Sequence, residues 1–142
     1  EAEVFLDSNV LIYALPRRAE EPARQAAARE LIATTEFGLS FQVLQEVYVT
    51  ATRKLAAPLR PKDALRFLEP FLAFPLAEGT AGLFHEAARL SLRFGIHYYD
   101  AAIVAAAREL GAHTLYSEDL SHGQEYEGVK VINPFHGLSA SP

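Results

Sequence analysis

Four carboxylates spread along the chain have the residue types for metal-assisted chemistry with oxygen ligands. They are Asp7 in Phe5-Leu6-Asp7-Ser8-Asn9, Glu46 in Leu44-Gln45-Glu46-Val47, Asp100 in Tyr98-Tyr99-Asp100-Ala101, and Asp119 in Ser117-Glu118-Asp119-Leu120. Each also has an ordinary structural explanation. Asp7 ends an apolar run and could cap a short helix that follows. Glu46 points away from the stripe Leu44, Val47, Tyr48 and Ala51 and could be a solvated helix-face glutamate. Asp119 falls in a loop, where an acid needs no explanation, and Glu118 competes with it for any role. Asp100 is harder to dismiss, because it shares one helical face with Ile103, Val104 and Ala107 and so heads the stripe that turns to the core. Taking an ion out of water costs several kcal/mol, so a buried acid must be an N-cap, half of an ion pair, or a metal ligand. Jointly, four carboxylates aimed at one edge would repel unless neutralised, and hard divalent cations are the natural neutraliser.

The elements that must position these acids follow from periodicity. Short apolar runs predict strands at Val4–Leu6, Phe37–Ser40, Thr114–Tyr116 and Val129–Ile132, with a weaker one at Phe74–Leu76. Helical spacing predicts helices at Val10–Leu15, Ala23–Thr34 behind Pro22, Phe41–Lys54 behind the N-cap candidate Ser40, and Pro61–Ala73. Two more follow, from Thr80 to about Phe94 and over Tyr98–Leu110, the latter closed by Gly111. Strands alternating with helices of this length imply a mostly parallel, helix-covered α/β sheet of four to five strands. In such sheets ligands bind beyond the carboxyl ends of the strands, and all four acids fall at or near that edge.

Composition narrows the field. The 142 residues make one domain, 1–142, large enough to bury a core without staples. The absence of cysteine removes disulfides and thiolate metal sites. No apolar run approaches the ~18 residues of a membrane span, and no basic leader precedes one, so no membrane role and a cytoplasmic location are expected. A formal charge of −5 argues against a generic basic nucleic-acid binder. Four of the negative charges belong to the candidate site, however, so an RNA substrate is not excluded. Arg17, Arg18, Arg53, Lys54, Arg60, Lys62, Arg66, Arg89 and Arg93 could flank the crevice, and Tyr13, Tyr98 and Tyr99 could stack on bases; solvated faces and core packing explain most of them equally well. No His-Glu-x-x-His, no phosphate-cradling glycine loop and no Gly-x-Ser-x-Gly elbow is present.

The ordered set of four motifs resembles the PIN domains. Val4-Phe5-Leu6-Asp7-Ser8-Asn9 is similar to their first motif, an apolar strand followed by Asp-x-Asn. The glutamate of Leu44-Gln45-Glu46-Val47 is similar to the second, and the Asp-Ala pair opening Asp100-Ala101-Ala102-Ile103 to the third. Ser117-Glu118-Asp119 is similar to the fourth, Ser/Thr-x-Asp after a strand. The match spans nearly the whole chain, and its length is most similar to the VapC-type toxins of toxin–antitoxin pairs. That resemblance implies a three-layer α/β/α sandwich and an endoribonuclease dependent on Mg²⁺ or Mn²⁺, commonly a homodimer and restrained by a cognate antitoxin protein. It implies that Asp7, Glu46, Asp100 and Asp119 carry the metal and the catalysis, with Asn9 and Ser117 in support. Two rivals are a metal-dependent nuclease acting on DNA and a phospho-accepting receiver domain. The second fits poorly, because Ser8-Asn9 rather than acids follow Asp7, and Asn133 rather than lysine follows the last strand.

Overall fold

The structure is a computed structural model that describes residues 2–16 and 20–138. Arg17 and Arg18, two of the candidate basic residues, lie outside the described residues. A central sheet has the order β3-β2-β1-β4-β6-β5, built from β1 (Val4–Leu6), β2 (Phe37–Ser40), β3 (Leu76–Ala77), β4 (Thr114–Tyr116), β5 (Glu125–Tyr126) and β6 (Val129–Ile132). All neighbouring strands run parallel except β5, which is antiparallel to β6. The sheet therefore has six strands rather than the four to five expected. The extra one is a two-residue edge strand joined to β6 through Glu127 (φ 46°) and Gly128 (φ 92°). Two successive positive φ values are what a two-residue hairpin turn requires, and the glycine supplies the second without strain. Arg89, Arg93 and Arg108 all pair with Glu127 and hold the turn against the helical layer.

Helices α1 (Ser8–Ala14), α2 (Pro22–Thr34), α3 (Phe41–Val49) and α4 (Pro61–Leu68) pack among themselves, while α5 (Ala81–Phe94) packs on α6 (Tyr98–Glu109). Residues Ala101 to Ala107 of α6 are all buried, because this helix is wedged between α5 and strands β2, β3, β4 and β6. A helix apolar on every side can only be buried, and its alanines let it lie close to the sheet. The helix expected over Phe41–Lys54 is interrupted. It is α-helical to Val49 and then widens into a π-turn over Thr50–Lys54, closed by the Leu55 N–H donating to the Thr50 carbonyl at 3.2 Å. The stretch expected as one helix from Pro61 to Ala73 also changes winding, at Glu69, where Pro70 removes a donor and a 3₁₀ segment takes over. Caps fall where side-chain chemistry predicts: Ser40 Oγ accepts from the Val43 N–H, and Thr80 Oγ1 from that of Leu83.

The strand order places a topological switch point between β1 and β4. From β1 the chain fills one side of the sheet with β2 and β3, then crosses to β4 and β6 on the other. Such a switch opens a crevice at the carboxyl ends of the two central strands. Register aligns those ends, with Leu6 opposite Tyr116 and the Asp7 N–H donating to the Tyr116 carbonyl at 3.0 Å. The residue after β1 is Asp7, and the residue after β4 is Ser117.

Gly38 lies in β2 under tight packing: a Cβ there would stand 2.6 Å from Leu110 Cδ1 and 3.0 Å from the Ala2 Cβ. Gly38→Val should lower stability by about 1–3 kcal/mol. Urea unfolding checks this, with the midpoint expected to fall and the slope to stay unchanged.

Candidate active site

Asp7 is the centre of the crevice and is only 3% exposed. Its ordinary reading and its functional one coexist in one side chain. Oδ1 accepts from the Ser8 N–H at 2.7 Å and caps α1, while Oδ2 accepts from the Ser117 hydroxyl at 2.7 Å. Asn9, the second residue of α1, points its amide the same way. Its Nδ2 donates to Asp119 Oδ2 at 3.2 Å and reaches Asp7 Oδ2 and Ser117 Oγ at 3.5 Å each. The Asn9 Oδ1 accepts from the Glu118 N–H, and Ser117 Oγ from the Asp119 N–H at 3.1 Å. The loop after β4 is thus tied to the loop after β1 by two side chains, Asn9 and Ser117, both buried.

This network separates the two competing acids of that loop. Glu118 turns away and accepts from the Tyr13 hydroxyl at 2.9 Å, whereas Asp119 faces Asn9. Tyr13 is not open for base stacking, since its ring meets Phe135 edge-on at 4.8 Å. Glu46, half-buried on α3, reaches the same region: its charge and that of Asp119 both raise the Asp7 carboxyl. Its Oε2 is 3.4 Å from the Gln42 Nε2, which also donates to the Tyr99 carbonyl and so bridges α3 to the first turn of α6. Gln42 was not singled out from the sequence; its place four residues before Glu46, on the same helix face, was the available signal.

Asp100 is partly buried in the first turn of α6, where, among the described residues, it neither caps the helix nor sits in a salt bridge. The N-cap is His97, whose Nδ1 accepts from the Tyr99 N–H at 3.2 Å. Among the described residues no cation pairs with Asp100. Burial pushes its carboxyl up and the charge of Asp119 pushes it further, while His97 nearby acts in the opposite direction. Asp7 therefore feels the charges of Asp119 and Glu46, and Asp100 feels that of Asp119. Tyr126, from the unforeseen β5, is affected in turn: burial, then the charge of Asp100, raises its phenol.

A family model for the PIN domain matches residues 4–123. The chain belongs to the PIN-domain family. Solved structures share the fold at low identity. A sarcin–ricin-loop-cleaving VapC toxin of Mycobacterium tuberculosis is 20% identical, with a TM-score of 0.62 over 80% of this chain and 88% of its own. A toxin–antitoxin complex from Klebsiella pneumoniae is 16% identical, with a TM-score of 0.65 over 92% and 97%. A DNA-bound VapBC from Salmonella typhimurium is 19% identical, with a TM-score of 0.61 over 92% and 97%. No curated protein matches the chain.

In this PIN domain the donor set suits a hard divalent ion: carboxylate oxygens, an amide and a hydroxyl, with no thiolate and no imidazole bonded to the cluster. Among the described residues, no three carboxylate, imidazole or thiol side chains converge closely enough to hold one ion together. Mg²⁺ does not demand that, since it keeps several waters and takes one or two carboxylates beside substrate phosphate. Asp7 and Asp119 are the two acids tied together by hydrogen bonds, through Asn9 and Ser117, and their oxygens are of the kind such an ion takes. No helix among the described residues is long and apolar enough to cross a membrane.

Burial, more than the neighbouring charges, pushes the Asp7 carboxyl from 3.8 up to about 7. The folded, metal-free protein then binds this proton more tightly than the unfolded chain. Its stabilising effect is full below about pH 4 and is lost as pH rises through 7, an effect on the order of 4 kcal/mol. The metal-free protein should thus melt lower at pH 8 than at pH 5.5. Asp7→Asn should flatten that difference and melt higher than the parent at pH 8. Thermal melts in EDTA across this range check it, and a steeper loss of stability at pH 8 in the variant would count against the burial argument.

Proposed function

We propose that this PIN domain is a divalent-metal-dependent endoribonuclease, the toxin of a toxin–antitoxin pair. The observation that carries the reading is the seat of Asp7: a carboxylate 3% exposed, with no cation beside it among the described residues and two further acids raising it. Uncompensated buried charge of this kind costs stability and is kept where it serves chemistry. The family membership and the toxin structures of the same fold support the same reading.

In this reading Asp7, Glu46, Asp100 and Asp119 hold Mg²⁺ or Mn²⁺. When bound, the ion supplies an acidified water and charge stabilisation at the attacked phosphate. The chain's own groups do the rest. Ser8 N–H and Ser117 Oγ–H fix the Asp7 carboxylate plane by hydrogen-bonding one oxygen each. Asn9 sets the spacing between Asp7 and Asp119. Glu46, steadied by Gln42, is the acid available to take the proton of the attacking water. The domain assignment over 1–142 and a homodimeric state belong to the same proposal. So does a cognate antitoxin: relatives of this fold are seen in toxin–antitoxin complexes, and an arginine of such a partner would gain charge-assisted hydrogen bonds among the four acids.

Cleavage of RNA by the purified protein is expected with Mg²⁺ or Mn²⁺ and is expected to stop in EDTA. Persistent cleavage with metal removal verified would overturn the metal-dependent reading. In cells, the wild type expressed alone should arrest growth, Asp7→Ala should not, and the small open reading frame beside the gene should restore growth. Equal harmlessness of both proteins at equal soluble levels would remove the toxin assignment and leave the nuclease to the assay in vitro.

A further inference from the structure

A cavity of about 440 Å³ runs along α3, lined by Ser8, Gln45, Glu46, Val49, Thr50 and Lys54. Two of these residues belong to the candidate site or adjoin it: Glu46 itself, and Ser8, whose N–H holds Asp7. Among the described residues, Lys54 is the single cation of the lining. Its arrival there depends on the π-turn. In an unbroken α-helix, eight residues overshoot two turns by roughly 80°, which would carry Lys54 away from the meridian of Glu46. The i→i+5 winding of Thr50–Lys54 turns through less angle per residue, and Lys54 lines the same cavity as Glu46.

The charge of Lys54 is also uncommitted. Arg24, Arg60, Arg66, Arg89, Arg93 and Arg108 are all paired with carboxylates. Among the described residues Lys54 has no such partner and is exposed; Arg29, Arg53, Lys62 and Lys130 also have none, but of these only Lys54 lines the cavity with Glu46. A polyanion entering a crevice of four carboxylates, on a chain of net charge −5, needs a cation close to the reacting phosphate. Building on the ribonuclease reading, we propose that Lys54 holds an RNA backbone phosphate next to the scissile one and so sets the position of the strand along α3. A lysine does this as a point charge, which recognises phosphate without reading sequence. Lys54 is thus a substrate-positioning residue, separate from the metal-binding acids.

The test uses an unstructured, mixed-sequence 20-nucleotide RNA and the full chain. Steady-state cleavage is measured with Mg²⁺, and filter binding of the same RNA is measured in EDTA between 50 and 200 mM KCl. Lys54→Ala should raise KM about tenfold with kcat nearly unchanged. It should also lessen the slope of log affinity against log salt by about 0.7, the contribution of one single-strand phosphate contact. Lys54→Arg should restore both. Because Lys54 is exposed, Lys54→Ala should melt at the wild-type temperature. An unchanged KM and an unchanged salt slope in Lys54→Ala would overturn the proposal. If the wild type did not cleave RNA at all, the ribonuclease reading would fall, while the binding arm would still decide whether Lys54 contacts phosphate.

Discussion

A carboxylate buried at a sheet's switch point must be hydrogen-bonded on both oxygens, and the seat of Asp7 is built to do so. One oxygen is satisfied locally, by the first N–H of α1, and costs the fold only a helix start. The other is satisfied across the sheet by the Ser117 hydroxyl, which needs β1 and β4 to end level with one another. That requirement couples the crevice to the register of the central strand pair. A slip of one residue would turn Asp7 and Ser117 to opposite faces and leave a buried acid without its second donor.

The same seat explains why stability and chemistry oppose each other here. Burial and neighbouring charge both disfavour the ionised form of Asp7, and Asp100 is disfavoured in the same way. A fold selected for stability alone would replace such a group, since removing an uncompensated buried charge is favourable. The scaffold absorbs the cost elsewhere. Helix α6, buried over seven consecutive residues, anchors Asp100 at its first turn, and the Arg89, Arg93, Arg108 and Glu127 network braces the far edge. These acid–base pairs hold Glu127 well below the usual range, at about 2, so they are unaffected over the pH range in which Asp7 titrates.

Support for the site reaches as far as the end of the described chain. Phe135 packs edge-on against Tyr13, and its N–H donates to Asn133 Oδ1. Tyr13 in turn holds Glu118, which keeps that acid out of the crevice and lets Asp119 face Asn9. Nearby, the Asn133 N–H donates to His122 Nδ1, and the rings of His122 and His136 stack at 4.0 Å. A segment that carries no acid of the site thus helps to choose which acid enters it.

Much of this was legible in local pattern. Apolar runs marked β1, β2, β4 and β6, and Ser40 and Thr80 marked helix starts, because caps and periodicity are properties of neighbouring residues. The order of four acids in the chain pointed to the family for the same reason. The short β5, the π-turn after Val49 and the 3₁₀ segment after Leu68 were not legible. A two-residue strand has no period to read, and the winding of a helix end answers to packing as well as to composition. The choice between Glu118 and Asp119 was equally closed to sequence, since it depends on Tyr13 and Asn9, more than a hundred residues away. By itself the sequence determined which residue types end the strands and begin the helices. The tertiary structure decided which of those ends meet, because only strand order and register bring Asp7 beside Ser117 and Asn9 beside Asp119.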